Sequence, residues 1–119
     1  MVVVGHSAGG YQLLVCLAER PIRRPVLAVC LIAAPFPGGD ADWTLEGFNL
    51  PPDLSGRMPD RAQVFLYASE DDEVVPFAHR DLYAAALPGA RVRTVHGGHQ
   101  IGADLAAVAA DIRASVVGG

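Results

Sequence analysis

The sequence predicts an α/β fold, a parallel four-stranded sheet flanked by helices on both faces, in one domain over residues 1–119. Three observations predict it. Short β-branched apolar runs alternate with longer stretches of helical period, the pattern of βαβ units. Charged residues are 18% of the chain, below the usual quarter or so, as expected for strands covered on both faces. The apolar fraction of 51% and mean hydropathy of +0.29 supply a well-filled core.

The elements follow in order. Met1 to Val4 is an apolar run stopped by Gly5, a strand. Ala8 to about Arg20 is helical, with Leu13, Leu14, Leu17 and Ala18 at helical spacing and Pro21 placed to close it. Pro25 to Ala34, carrying Val26, Leu27, Val29, Leu31 and Ile32, is a second buried strand ended by Pro35. A loop insertion occupies about 36–61, rich in Gly, Pro and Asp, with room for one short helical turn; Trp43 and Phe48 are its only large anchors or pocket walls. Gln63 to Ala68 is the third strand. Pro76 suits the start of a helix to about Leu87, with Ala78, Leu82, Tyr83 and Ala86 on one face. Arg91 to Val95 alternates charged and apolar residues and reads as a wetter strand at the sheet edge. The last helix carries Leu105, Val108, Ala109, Ile112 and Val116 on an apolar stripe.

Composition excludes several functions. Nine Lys and Arg against 13 Asp and Glu leave a net charge of −4, and the densest basic cluster, Arg20, Arg23 and Arg24, flanks a turn. No nucleic-acid partner is expected. Cys16 and Cys30 are too few for a disulfide framework and lack metal-ligand spacing, so both read as buried free thiols. The N-terminus has no basic region before its short apolar run, unlike a signal peptide. No run of 18 apolar residues is present to cross a membrane. The expected location is the cytoplasm, with no membrane partner.

In a parallel α/β sheet, ligands bind beyond the C-terminal strand ends, and the chemistry-bearing residues fall there. Gly5-His6-Ser7-Ala8-Gly9 matches G-x-S-x-G between a predicted strand and a predicted helix. Such a sharp turn strains the serine backbone, and glycines beside it let strand and helix pass closely. The hydroxyl then stands at a helix N-terminus, whose free N–H groups, Ala8 first, suit a developing oxyanion. A serine hydroxyl needs a base, and the base an orienting acid. Asp72 follows the third strand and His99 the fourth, so both share a rim with Ser7.

Alternatives accompany each assignment. Asp71 is the main rival to Asp72, with Asp40 and Asp42 as acids from the preceding strand end. His96 more naturally ends the fourth strand; His6 packs locally, and His79, in the first turn of a helix, is merely solvated. The acidic run Glu70 to Glu73 lacks convergent ligands from elsewhere in the chain, so no metal is expected, and Gly9-Gly10 lacks the lysine of a phosphate-binding loop.

The segments Gly5 to Gly10, Asp72-x-x-Val75-Pro76 and Gly97-Gly98-His99 ahead of a terminal helix resemble the α/β-hydrolase superfamily. The short 36–61 connection is more similar to its small, nearly capless serine hydrolases, of the retinoblastoma-binding-protein type, than to lipases with large lids. The resemblance implies Ser7 as nucleophile, Asp72 as acid, His99 as base and Ala8 N–H as an oxyanion donor. It implies hydrolysis of a small ester- or thioester-type substrate through an acyl-enzyme, with no cofactor.

One departure stands out. The superfamily sheet has strands before the nucleophile strand and takes its second oxyanion donor from a loop among them. The chain therefore reads as a C-terminal half, the product of a truncated frame, with an apolar edge at Val2 to Val4 open to pairing with another copy. An inactive fragment, or a half-domain that needs a partner chain, is the alternative function.

Overall fold

The computed structural model describes residues 1–20 and 22–118; Pro21, expected to close the first helix, lies outside them. The elements are β1 (Val2–His6), α1 (Ala8–Glu19), β2 (Ala28–Ile32), β3 (Gln63–Ser69), α2 (His79–Ala86), β4 (Arg91–Val95) and α3 (Leu105–Gly118). Between β2 and β3 the chain makes two short 3₁₀ turns, Ala41–Trp43 and Leu54–Arg57, where one was expected.

The four strands form one parallel sheet in the order β1-β2-β3-β4. The crossovers carrying α1 and α2 advance the sheet in the same direction, so a common handedness puts both helices on one face. There Leu14 and Leu17 of α1 and Tyr83 of α2 meet Val29, Leu31, Val64 and Leu66. Val108 of α3 covers the opposite face, over Cys30, Ile32, Phe65 and Tyr67. The two sets alternate residue by residue along β2 and β3, the period-2 signature of strands buried on both sides. Each such side chain contributes roughly 1.5–3 kcal/mol on burial.

β1 extends two residues beyond the expected Val4, because Gly5 and His6 still pair with Leu31 and Ile32. Its outer edge carries Val4, which is 49% exposed. β4 forms the other edge, as its charged alternation predicts; Arg93 there pairs with Asp111 of α3 at 3.2 Å.

Three expectations about helix faces are corrected. α2 begins at His79, after a turn in which Pro76 O accepts the His79 N–H. Its buried side is His79 and Tyr83, continued by Leu87, rather than Ala78 and Leu82, which are exposed. In α3 the inward positions are Val108, Ile112 and Ser115, while Leu105 and Val116 are more than half exposed. Cys16 is exposed, unlike buried Cys30: two residues from buried Leu14 is about 200° around the helix.

Candidate active site

The turn from β1 into α1 shows why this local sequence is needed. Ser7 sits at φ 57°, ψ −132°, a strained conformation for a residue with a Cβ, costing on the order of 1–3 kcal/mol. It is held there by its N–H, which donates to Ile32 O at 2.8 Å, and by its carbonyl, which accepts from Gly10 N–H at 2.9 Å. A Cβ on Gly5 would lie 2.5 Å from Gly10 Cα, and one on Gly10 would lie 2.9 Å from Ala34 Cβ. A Cβ on Gly9 would meet nothing within 4 Å. The close approach expected at the motif's second glycine thus occurs at its neighbour, Gly10.

At this turn Ser7 Oγ lies 2.8 Å from His99 Nε2, and His99 Nδ1 lies 2.9 Å from Asp72 Oδ2. Asp72 accepts, so Nδ1 carries the proton and Nε2 presents its lone pair to the serine hydroxyl. The other Asp72 oxygen, Oδ1, accepts the Val74 and Val75 N–H groups, both at 2.8 Å. The carboxylate is buried, with a side-chain exposure of 1%, and these three donors offset its loss of water. Among the described residues no backbone acceptor outside the helix engages the Ala8 N–H, leaving it one of the free donors of the first turn of α1.

Sequence reasoning brought Ser7, Asp72, His99 and Ala8 to one rim, and the fold gathers all four. Asp71 points elsewhere: its Oδ1 accepts the Gly98 N–H at 3.1 Å and the Ser69 hydroxyl. Those bonds, the Ser69 one foremost, hold its carboxyl below the ordinary aspartate range. Asp71 therefore braces the backbone of the loop that carries His99. That loop turns tightly, with Gly97 at φ 105° and Gly98 at φ 69°. His6 braces the same loop from the elbow, its Nε2 donating to His99 O at 2.8 Å. His96 follows β4 and contacts Asp104 at 2.7 Å through both its backbone N–H and Nδ1.

His79, expected to be solvated, is 2% exposed. Its Nδ1 accepts the Phe36 N–H at 2.8 Å and its Nε2 donates to Asp40 Oδ2 at 2.6 Å. Asp40 thus serves a different histidine from His99, and the His79 bond is the main reason its carboxyl titrates below the usual range. The pair pins the start of the 36–61 connection to α2. Tyr11 pins its middle: the hydroxyl donates to Asn49 O at 3.0 Å and accepts Asn49 N–H at 3.1 Å, with the Phe48 ring 4.2 Å away. Neither anchor has a local sequence signature, since the partners lie 39 and 38 residues apart.

A parallel sheet with a strained serine between its first strand and helix, facing a histidine–carboxylate pair from later strand ends, defines a partial α/β-hydrolase fold. Residues 1–106 match the family model for serine hydrolases, and the chain belongs to that family. Among solved structures it resembles an esterase domain from Rhodothermus marinus at 20% identity and a TM-score of 0.60, covering 85% of this chain and 53% of that one. It is also similar to a predicted CIB-like hydrolase from Thermoplasma acidophilum, at 23% identity and a TM-score of 0.60 over 98% and 49% of the two chains. The same TM-score, with 13% identity over 96% and 51%, relates it to an esterase from Pyrococcus furiosus. The chain thus spans about half the length of the structures it matches. No curated protein matches the sequence. Among the described residues no helix is long and apolar enough to cross a membrane.

Proposed function

We propose that the chain hydrolyses small ester- or thioester-type substrates through an acyl-enzyme on Ser7. The observation that carries this reading is the hydrogen-bonded series Ser7–His99–Asp72, with links of 2.8 and 2.9 Å. Ser7 Oγ attacks the ester carbonyl as His99 Nε2 takes its proton. Asp72 fixes the tautomer and stabilises the imidazolium. The oxyanion takes the Ala8 N–H, a donor whose like contributes about 10²–10³ in rate. Collapse expels the alcohol or thiol, protonated by His99. Water, deprotonated by the same nitrogen, then attacks the acyl-enzyme and releases the acid and Ser7.

The test is covalent labelling of the chain with a fluorophosphonate probe, beside a Ser7→Ala control. Labelling confined to the parent supports the reading; a folded protein that does not label refutes it for this chain. A second reading, favoured by the exposed Val4 on the free edge of β1 and by the half-length coverage of the matched structures, is that activity requires a strand from another chain. Labelling that appears only as protein concentration rises, together with dimer by light scattering, would select it.

A further inference from the structure

Arg80 stands in the first turn of α2 with a side-chain exposure of 11%. Its guanidinium stacks on the Phe77 ring, 4.2 Å from the ring centre. Nη1 donates to Arg93 O at 3.1 Å and to Thr94 Oγ1 at 2.7 Å, both on β4, and Nη2 donates to Asp81 at 3.4 Å. The Nε–H differs from these: it is buried and, among the described residues, meets no acceptor. Folded proteins rarely leave such a donor unmet.

Arg80 and Asp72 line the same small cavity between α2 and the sheet. Its volume is about 10 Å³, room for a single water. The polar side chains in its lining are Asp72, His79, Arg80 and Tyr83. Both His79 nitrogens are engaged, with the Phe36 N–H and with Asp40. The Tyr83 hydroxyl donates to Pro35 O at 2.6 Å, so towards the cavity it can only accept. Asp72 Oδ1 takes two N–H groups, but Oδ2 has His99 Nδ1 alone and keeps a lone pair. The lining thus combines one unmet donor, on Arg80, with open acceptors on Asp72 and Tyr83. A water, which accepts one hydrogen bond and donates two, satisfies that set.

We infer that a buried water in this cavity joins the Arg80 Nε–H to the Asp72 carboxylate, so that Arg80 is a positioning residue for the acid of the series. The inference rests on Asp72 having that role. The water accepts the Nε–H, donates one hydrogen to Asp72 Oδ2 beside the His99 bond, and gives the other to the Tyr83 hydroxyl. The cationic donor polarises the water towards the carboxylate and strengthens the link. Rotation of the carboxylate is then checked, and the Nδ1–H of His99 keeps its target. Arg80 is also fixed to β4, and His99 lies four residues beyond the end of that strand. One guanidinium therefore references both the acid and the base.

Arg80→Lys isolates the link, because lysine puts Cε where arginine has Nε and keeps a cation that reaches Arg93 O and Thr94 Oγ1. Fluorophosphonate labelling of Ser7 should fall about tenfold while the thermal melt stays close to the parent's. The downfield resonance of the His99 Nδ1–H should shift with it. A role confined to clamping α2 on β4 would be met by lysine. Unaltered labelling and an unmoved His99 resonance would therefore overturn the inference and leave the hydrolase reading intact. The water has a readout that needs no activity and no variant. In the ¹⁵N-labelled parent the Arg80 Nε–H should be protected from exchange and show a nuclear Overhauser contact with a water of long residence. An Nε–H without that contact would overturn the inference whatever the activity. A folded parent that does not label would remove the hydrolase reading, and the role of Asp72 and this inference with it.

Discussion

Asp72→Asn isolates the tautomer of His99 from the shape of the site. The Val74 and Val75 N–H groups both donate to Asp72 Oδ1. An asparagine must keep its carbonyl oxygen there, which turns its NH₂ toward His99 Nδ1. Two donors cannot share that contact, so His99 moves its proton to Nε2 and can no longer accept from the Ser7 hydroxyl. A wrong-tautomer triad loses about 10⁴ in kcat, or about 5.5 kcal/mol of barrier. Stability should change by less than about 2 kcal/mol, since the two backbone bonds survive and lose only their charge assistance. The assay is the rate of fluorophosphonate labelling and of p-nitrophenyl ester hydrolysis, with a thermal melt as the folding control. A variant that melts normally and keeps activity within tenfold of the parent would refute the proposed role of Asp72.

Three further outcomes are expected. Gly5→Ala drives a Cβ into the Gly9 and Gly10 backbone at 2.5–2.9 Å and should cost about 1–3 kcal/mol, whereas Gly9→Ala, with open space at its Cβ, should be neutral or gain up to about 1 kcal/mol; thermal melts of the two variants compare them. Asp40, Asp71, Asp104 and Asp111 all titrate below the ordinary 3.8. Their contribution to stability is complete above that value and is lost as pH falls through the lower folded values, so urea midpoints should be level near neutrality and drop below about pH 4. His79→Leu removes the acceptor of the Phe36 N–H; that amide should lose hydrogen-exchange protection by about 1–3 kcal/mol, while exchange at the centre of β2 stays slow.

The strands were legible because Val2–Val4, Val29–Ile32 and Val64–Tyr67 are apolar on both faces, a pattern that survives any tertiary context. The candidate site was legible for a similar reason: Ser7, Asp72 and His99 each lie within four residues of a strand's C-terminal end, so the topology brings them to one rim. Even the choice of Asp72 over Asp71 has a local cause, since a carboxylate that accepts the N–H groups two and three residues on sets its own turn. The face of a short helix was harder. The hydrophobic pattern favoured Leu82 over His79, but Asp40 and the Phe36 N–H, more than 35 residues away in sequence, supply the partners that make an imidazole burial tolerable. Leu105 and Val116 misled in the opposite sense, because the buried side of α3 carries Ser115, its hydroxyl donating to Asp111 O at 2.9 Å. The path of the 36–61 connection depends on such distant partners throughout, and short-range pattern carries no record of them.

Ser7 and His99 are 92 residues apart, and Asp72 and His99 are 27 apart. The serine precedes by three strands the imidazole that would activate it, and that imidazole lies just beyond β4, an edge strand of the sheet. Until β4 joins the sheet Ser7 lacks its His99 contact and, on the proposed mechanism, would have the chemistry of an ordinary alcohol. On the proposed mechanism, reactivity would switch on when β4 docks beside β3. A mechanism-based probe added during refolding would therefore clock the docking of β4, and the interval before labelling begins would measure how long that strand takes to pair with β3.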